Sequence, residues 1–328
     1  MDYIRTVRSI FLLLALVLCS GSYATAQQAP QTSLSMFNPY RSISAYAGFD
    51  GTLSMHGAYR SQWSGLEGSP EGQYVSAHLP IYRWSGAVGG SLSSERLGAE
   101  TNTRISISYN YIVQADWGYL SIGLLAGALQ KRIDGSQLRT PDGEYRDGVI
   151  IHNDPRLGSG TYAGITPSIG VSLYYVSDLI EGGVQLSDIL ASSISLDDVI
   201  EVQQVRKFTA MVAGHYKLPY DLVVHPSVML QSDFVQWQTE VAAWVEWRSS
   251  YGLGLGYRDL TAGGDALLLL AHLRLGEKWT LSYAYDLGLS SLQTVHSGSH
   301  EVVMHYKLTR RVGEATPAPV IHNPRLLD

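Results

Sequence analysis

Apolar and polar positions alternate with a two-residue period in many stretches of the chain. In WTLSYAYDLGL, residues 279–289, every second position is Trp, Leu or Tyr, and the intervening positions are Thr, Ser, Ala, Asp and Gly. Because successive side chains of an extended chain leave on opposite faces, this period predicts a β-strand between two different environments. A strand between a protein core and bulk water would show this pattern. A strand between membrane hydrocarbon and a water-filled barrel lumen would show it too.

Segments of this kind predict about fourteen antiparallel strands, and an even number is usual for single-chain bacterial barrels. The predicted strands cover residues 52–63, 72–82, 84–95, 103–113, 117–130, 165–176, 180–188, 203–217, 221–232, 235–248, 250–258, 263–275, 278–289 and 297–308.

The predicted connections alternate in length. Links after even-numbered strands are tight, such as 114–116 and 276–277, and links after odd-numbered strands are longer, such as 64–71, 131–160 and 190–201. Short periplasmic turns and long outer loops are typical of transmembrane barrels, so both chain ends are predicted to be periplasmic. A soluble sandwich or propeller gives no reason for this alternation.

One predicted strand indicates which face meets lipid. Trp237 and Trp247 share a face and lie ten residues apart, which is about 33 Å along a strand. A tilt of roughly 40° projects this distance to about 25 Å, the spacing of the two aromatic girdles of a barrel. The other face carries Glu240 and Glu246, which would be unfavourable in hydrocarbon. Ala242 and Trp244 interrupt the polar set on that face.

The composition favours a membrane barrel over a soluble domain. Charged residues make up 16% of the chain, and there are 33 Gly and 21 Tyr, whereas soluble domains contain about 25% charged residues. After residue 26 the longest apolar stretch is 266–271, so no transmembrane helix is predicted. We therefore predict an all-β fold, a transmembrane antiparallel β-barrel of about 14 strands over residues 51–308.

The first residues are typical of an export signal. Arg5 and Arg8 precede a short apolar run, and Ala24-Thr25-Ala26 has the spacing that signal peptidase recognises. Residues 1–26 are predicted to be a signal peptide for export, and the predicted barrel then places the protein in the outer membrane. Of 23 basic and 29 acidic residues, 21 and 28 remain beyond residue 26, a formal net charge of −7. This balance argues against nucleic acid as a partner.

Two segments flank the predicted barrel. Residues 27–50 are predicted to be a periplasmic segment, either a plug, a partner-docking arm or a plain tether to the first strand. Its motif residues are Met36, Phe37, Asn38, Pro39, Tyr46 and Gly48. Residues 309–328 contain three prolines and are predicted to be a periplasmic tail.

Signals for catalysis or a metal are absent from the sequence. His300 and His305 are five residues apart, an odd number, so their side chains would face opposite sides of one strand. They therefore cannot share a metal with His296. No G-x-S-x-G motif occurs. The loop 142–148 offers carboxylates but departs from the EF-hand pattern at its fifth and sixth positions. We predict no enzyme activity, no metal and no cofactor.

A polar set is predicted to line the lumen. Its members are Arg104, Asn110, Gln236, Glu240, Arg248 and Asp286. These side chains either line a pore or satisfy one another in a closed interior, and the sequence leaves both alternatives open.

Six motifs resemble the PorP/SprF family of Bacteroidetes. They are QQAPQTSLSMFNPY (27–40), AYAGFDGTLS (45–54), YRSQWSGLEGSP (59–70), SAHLP (76–80), GVSLYYVSDLIEGGVQLSDIL (170–190) and SYAYDLGLSSLQTVHSGSHEVVMHYKL (282–308). The resemblance covers almost the whole chain after residue 26. It departs from the family where Ile43-Ser44 replaces the usual Asn-Pro, and in the longer tail.

The resemblance implies a non-catalytic outer-membrane barrel of the type IX secretion system. Such a barrel would assist the secretion or surface anchoring of cargo with a type IX C-terminal domain, such as gliding adhesins. It would also contact periplasmic or outer-membrane components of the secretion machine, with outer-membrane lipid around it. The alternative is a passive or gated channel for small solutes.

A loop after the first strand is the candidate contact for cargo or partners. Its candidate residues are Tyr59, Arg60, Gln62, Trp63, Gly65, Glu67, Gly68 and Pro70. In this hypothesis Trp63 is an aromatic anchor, Glu67 a polar contact, and the two glycines permit the turn. In the alternative, Trp63 belongs to the aromatic girdle and the glycines only shape the loop.

Overall fold

The computed structural model describes residues 31–146, 149–154, 158–197, 200–259 and 264–308. The predicted signal peptide and the predicted tail lie outside the described residues. Within the described part of the chain, no helix has the length and apolar character needed to cross a membrane.

Strands dominate the structure. They are β1 (Ser54–Ser61), β2 (Glu71–Ile81), β3 (Gly86–Leu97), β4 (Glu100–Ala115), β5 (Gly118–Asp134), β6 (Thr161–Val176), β7 (Ile180–Ser187), β8 (Ser193–Ser195), β9 (Glu201–Gln203), β10 (Lys207–Gly214), β11 (Tyr216–Leu218), β12 (Leu222–Ser232), β13 (Trp237–Trp247), β14 (Tyr251–Arg258), β15 (Ala266–Leu275), β16 (Trp279–Gly288) and β17 (Ser299–Lys307).

The helical elements are short. One α-helix, α1, covers Pro39–Ser42, and five 3-10 turns cover Ser35–Phe37, Ser44–Tyr46, Tyr82–Trp84, Gly135–Gln137 and Ser291–Thr294.

The main sheet closes on itself as an antiparallel barrel. Neighbouring strands pair in sequence order, β1 pairs with β17, and β10 pairs with both β7 and β12. The sheet has 15 strands, but β10 and β11 are two halves of one interrupted strand. Fourteen strands therefore form the wall, which confirms the predicted fold class and strand number.

A proline on the neighbouring strand accounts for the break between β10 and β11. Ala213 pairs with Ser227 and Tyr216 pairs with Val224, so the register is the same before and after the gap. Pro226 of β12 stands opposite the gap and has no N–H to donate to the ladder. The interruption is therefore a local loss of pairing without an inserted residue.

The two faces of the wall differ as the sequence pattern predicts. On β4, Ile107 is 68% exposed on the outer face, whereas Ser106 and Ser108 are buried on the inner face. Leu253 of β14 is 73% exposed, and Trp237 and Trp247 both lie on the outer face. Unpaired strand edges are absent from such a closed sheet, so its backbone polar groups are satisfied within the wall.

Long and short connections lie at opposite ends of the barrel. The end called here the short-turn end carries the connections 82–85, 116–117, 177–179, 219–221, 248–250 and 276–278. The end called here the long-loop end carries the connections 62–70, 98–99, 135–160, 188–206, 233–236, 259–265 and 289–298. The connection 98–99 is the exception, because β3 ends two residues later and β4 begins three residues earlier than predicted, so the two strands meet in a tight turn.

One hairpin was missed by the sequence analysis. β8 and β9 pair with each other in a separate two-stranded sheet within the connection between β7 and β10. Ile194 of β8 is fully buried and packs with Leu129 of β5 and with Leu196. The hairpin therefore folds into the long-loop end of the barrel.

Candidate functional site

The segment before β1 fills the lumen. Residues 31–50 are almost all buried, and they run from the long-loop end to the short-turn end, where the backbone N–H of Leu308 donates to the carbonyl of Leu53. We call residues 31–53 the plug. The described part of the predicted periplasmic segment therefore lies inside the barrel. Of the three alternatives for this segment, the placement fits a plug.

Ion pairs and hydrogen bonds hold the start of the plug. Arg258 of β14 contacts Glu240 at 2.8 Å and Asp286 at 2.8 Å, and Arg60 of β1 contacts Asp286 at 2.7 Å and Glu301 at 3.2 Å. A third guanidinium, that of Arg41 on the plug, reaches Glu301 at 3.0 Å.

This network balances its charges inside the barrel. Three guanidinium groups face three carboxylates, and we call the six residues Arg41, Arg60, Glu240, Arg258, Asp286 and Glu301 the ionic network. Buried charges are tolerated when each one is paired and hydrogen-bonded.

The plug backbone and hydroxyls complete the ionic network. Thr32 Oγ1 donates to Glu301 at 2.7 Å, and the backbone N–H of Ser33 donates to the same carboxylate at 2.6 Å. Ser33 Oγ donates to Asp286 at 2.7 Å and accepts from Arg60 and Arg258. Displacing the plug removes Arg41 and the Thr32 and Ser33 donors, and it leaves three wall carboxylates with two guanidinium groups.

Apolar contacts follow the ionic network along the plug. Leu34 and Met36 pack with Ala242, Trp244 and Val303, which face the lumen. The Phe37 ring stacks on His272 with centroids 4.7 Å apart. The apolar interruptions of the polar face predicted for β13 are therefore the surface that receives the plug.

The helix and the turns of the plug fit glycine-sized spaces in the wall. Asn38 caps α1 by accepting from the backbone N–H of Arg41, with Pro39 as the first helical residue. Tyr40 lies over Gly89 of β3, where a Cβ would come within 2.2 Å of the Tyr40 hydroxyl oxygen. Gly89 therefore makes room for the aromatic ring.

Polar wall residues bind the plug backbone further along. Asn110 of β4 donates to the carbonyls of Ala45 at 3.0 Å and Ala47 at 2.9 Å. On the other side, Gln185 of β7 accepts from the backbone N–H of Ser44 at 2.7 Å. The wall thus satisfies plug groups that no regular secondary structure pairs.

The end of the plug meets a group of histidines. Asp50 lies 3.3 Å from Nε2 of His78, and the backbone N–H of Gly48 donates to Nδ1 of the same ring. Burial alone would raise the pKa of the Asp50 carboxyl, but His78, His305 and Lys307 together hold this pKa well below its ordinary value.

The plug borders a cavity towards each end of the barrel. The long-loop cavity has a volume of about 270 Å³ and is lined by plug residue Gln31, by Gln62 and Trp63, and by Gln204 near the β8–β9 hairpin. The short-turn cavity has a volume of about 440 Å³ and reaches the turn 276–278. The plug separates these two spaces.

The predicted lumen set divides into two groups. Arg104, Asn110, Glu240 and Asp286 face the interior, where Arg104 forms a bidentate pair with Asp188 at 2.7 and 2.9 Å. The prediction was wrong for Gln236 and Arg248. Both side chains are exposed in connections outside the strands, where the Arg248 guanidinium lies 4.8 Å from the centroid of the Trp247 ring.

The predicted contact loop also divides. Arg60 is 5% exposed and belongs to the ionic network, so the prediction of a contact role was wrong for it. Tyr59 points outward from β1 towards the lipid face, which is a second correction. Gln62 is buried, and its backbone N–H donates to the carbonyl of Pro70 at the base of the loop.

The remaining loop residues lie at the long-loop end. Trp63 is half-buried, with its ring centroid 6.4 Å from that of His296, and its backbone N–H donates to Ser299 Oγ. Glu67 is exposed, and Gly65 and Gly68 have φ values of 95° and 72°. These conformations favour glycine and define the turn.

The sequence analysis missed Arg258, Glu301, Ser33 and Arg41 as members of the site. Arg258 is the last residue of β14, and in the sequence it is indistinguishable from an ordinary polar strand end. Glu301 is one of several alternating polar positions of β17, so its sequence context does not single it out. Their pairing depends on the closure of the barrel, which brings together residues far apart in sequence. The motif SMFNPY was the one local signal of a structured segment before β1.

Comparisons with known structures return outer-membrane proteins. Omp33 of Acinetobacter baumannii is 5% identical, covers 78% of this chain and 98% of its own, and has a TM-score of 0.45. The translocator domain of the autotransporter NalP from Neisseria meningitidis is 12% identical, with coverages of 83% and 95% and a TM-score of 0.40. No curated protein matches the chain.

A family match extends over most of the sequence. The family described as "Type IX secretion system membrane protein PorP/SprF" matches residues 24–306. This range contains the plug and every strand but the last residue of β17. The chain belongs to the PorP/SprF family of type IX secretion system membrane proteins.

Proposed function

We propose that this barrel is a non-catalytic outer-membrane component of the type IX secretion system. It assists the secretion or surface anchoring of cargo that carries a type IX C-terminal domain, such as gliding adhesins, and it contacts periplasmic components of the machine. The observation that carries the proposal is the plug: the barrel holds its own residues 31–53 in the lumen. A barrel filled in this way suits a docking and assembly role better than free diffusion of solutes.

The orientation follows from the connections. We place the long-loop end outside the cell and the short-turn end in the periplasm, because long outer loops and short periplasmic turns are usual in outer-membrane barrels. The loop 62–70 then faces outward beside the connection 289–298, and Ser64 of the loop exchanges backbone hydrogen bonds with Ser297 and Gly298. This paired platform is where we propose that exported cargo is met.

Trp63 and Glu67 are the proposed contact residues on this platform. Trp63 presents a large half-buried ring, and Glu67 is exposed at the tip. Aromatic side chains that are partly seated on the protein can anchor a partner at low entropic cost. The glycines at 65 and 68 hold the loop conformation between them.

The test is complementation of a deletion strain of the native bacterium. Wild type should restore the set of surface proteins with type IX C-terminal domains, measured by protease shaving and mass spectrometry, and the Trp63→Ala variant should restore less. Phe234→Ala is the matched control, since Phe234 is an exposed aromatic residue in the connection 233–236, a different connection of the same long-loop end. A deletion strain with an unchanged surface protein set contradicts the proposal.

Crosslinking in native membranes would then identify the partners. A pull-down of the full protein should contain cargo together with components of the secretion machine. If only lipid-biosynthesis or unrelated porin proteins are crosslinked, the assembly role is rejected.

A gated channel is the second candidate function. It is favoured by the two cavities of about 270 and 440 Å³ on either side of the plug. Movement of the plug would join these spaces into one path. Conductance across planar bilayers separates this function from the first.

A further inference from the structure

The short-turn cavity is built from both the plug and the wall. Its volume is about 440 Å³, and it lies between the end of the plug and the inner faces of β1, β13, β15, β16 and β17. The polar residues used below all line it: Asp50, Thr52, His56, Glu246 and Lys307. It opens beside the turn 276–278, so small molecules or an extended peptide can enter from the short-turn end.

Two residues that line this cavity each carry a buried polar atom without a partner. Nδ1 of His56 and Oγ1 of Thr52 form no hydrogen bond with any described residue, and both residues are more than nine-tenths buried. The His56 ring is fixed by parallel stacking on His305, with centroids 4.1 Å apart. A buried polar atom without a partner costs free energy, which a ligand that supplies the partner recovers.

Two acidic residues of the cavity, Asp50 and Glu246, already have partners, and the third, Glu277, lies exposed on the turn at its entrance. Asp50 accepts from the Tyr46 hydroxyl at 3.0 Å and faces His78, and Glu246 lies 3.2 Å from Nε2 of His225. Their hydrogen-bonding capacity is therefore directed into the protein, and they offer little to a cation.

A basic residue of the cavity is available. Lys307, the last residue of β17, makes no ion pair within 4.0 Å with any described carboxylate. Lys278 is exposed on the turn at the entrance and likewise has no ion-pair partner among the described residues. The cavity thus combines a lysine ammonium, a threonine hydroxyl and an imidazole nitrogen, all of which can donate hydrogen bonds.

We propose that the short-turn cavity is a binding site for an oxyanion, held by Lys307, Thr52 and His56. Carboxylates and phosphates are the groups that accept from several donors at once, and charge-assisted hydrogen bonds favour them over neutral ligands. The oxyanion is either the carboxylate of an acidic peptide or a phosphate group.

The test is calorimetric titration of the detergent-solubilised full protein at constant ionic strength. One arm uses inorganic phosphate, and the other uses a short blocked peptide with one glutamate, with the matching glutamine peptide as its neutral control. Saturable binding in one arm identifies the source of the oxyanion. If phosphate and the glutamate peptide both bind and compete with each other, one site binds the oxyanion of either ligand.

Three variants test the residues. Lys307→Met should weaken binding roughly 10-fold or more, and Thr52→Val and His56→Phe should each weaken it several-fold, because each removes one donor. Thr52→Val is the sharpest variant, since the hydroxyl has no partner in the protein and its removal should leave thermal stability unchanged. Lys217→Met is the control, because Lys217 is exposed on β11 away from the cavity.

Several outcomes overturn the proposal. They are no saturable binding in either arm, equal affinity for the glutamate and glutamine peptides without phosphate binding, or equal weakening by Lys217→Met and Lys307→Met. Unchanged affinity in both Thr52→Val and His56→Phe also rejects the site.

Discussion

His215 and His225 face each other through their Nδ1 atoms, which lie 2.8 Å apart at the break between β10 and β11. Only one of these nitrogens can carry the shared proton, so one ring donates and the other accepts. Nε2 of His215 lies 3.3 Å from Glu181, and Nε2 of His225 lies 3.2 Å from Glu246. The four side chains form a buried row across β7, β12 and β13 where the backbone ladder is interrupted.

The first prediction concerns the coupling of these two histidines. His215→Phe and His225→Phe should each lower the free energy of unfolding by about 1–3 kcal/mol, because each leaves a buried partner unsatisfied. The double variant should lose less free energy of unfolding than the two single variants lose together, because both single variants remove the same hydrogen bond. Denaturant unfolding followed by tryptophan fluorescence gives the three values.

A distant histidine is the control for this cycle. His300 lies on the outer face beside Tyr283. The change in the free energy of unfolding caused by His300→Phe should therefore add to that of His215→Phe or His225→Phe without an interaction term. If the changes in the free energy of unfolding add as fully for His215 and His225 as they do for His215 and His300, the shared hydrogen bond is contradicted.

The second prediction concerns the ionic network. Arg258→Met should lower the free energy of unfolding by about 3–5 kcal/mol, because Glu240 and Asp286 would then share too few counter-charges in a buried site. Arg248→Met is the matched control. Arg248 is exposed and contacts the Trp247 ring, so its loss should change stability by about 0.5 kcal/mol or less. Equal losses in the two variants would mean that the network does not stabilise the barrel.

The third prediction concerns accessibility of the plug. The one cysteine of the sequence is Cys19, within the predicted signal peptide, so an introduced cysteine would be unique in the exported protein. Ser35→Cys should react with a maleimide at least 100-fold more slowly than Ser297→Cys, because Ser35 is 3% exposed and Ser297 lies in an exposed loop. Labelling rates on intact barrels, checked by gel mobility shifts, give this ratio.

The same pair of cysteines reports on what holds the plug. Adding Arg258→Met should speed the labelling of Ser35→Cys and leave that of Ser297→Cys unchanged, because the network binds the plug at Thr32 and Ser33. Similar rates for the two cysteines in the otherwise unchanged protein would reject a stably seated plug.

The wall of the barrel was predictable from the sequence. Alternation over strands such as β4, β6 and β16 is long enough to fix both the strand and its faces, because a shift of one residue would turn every apolar side chain inward. The lengths of the connections gave a second, independent signal. The strand ends were less predictable: β5 was predicted to end at residue 130 and ends at Asp134.

The interior was predictable only in part. Ala242 and Trp244 broke the polar pattern of β13, but nothing local showed that Leu34 and Met36 of the plug cover them. The partners of Arg258 come from the plug, β13 and β16, and their meeting depends on closure of the whole sheet. The β8–β9 hairpin has strands of three residues each, too short for a periodic signal.

The last prediction separates the two candidate functions. Purified wild-type protein in a planar bilayer should pass no steady current, because the plug and its apolar contacts fill the lumen between the two cavities. A variant without residues 31–50 should conduct if it folds, since the wall of fourteen strands would then surround an unobstructed path. Folding is checked by β-rich circular dichroism and by heat-dependent gel mobility. Arg258→Met offers a milder opening, with brief current steps expected as the plug loosens. Steady current through the wild-type protein would favour the channel, and a folded but non-conducting deletion variant would show that something other than the plug closes the barrel.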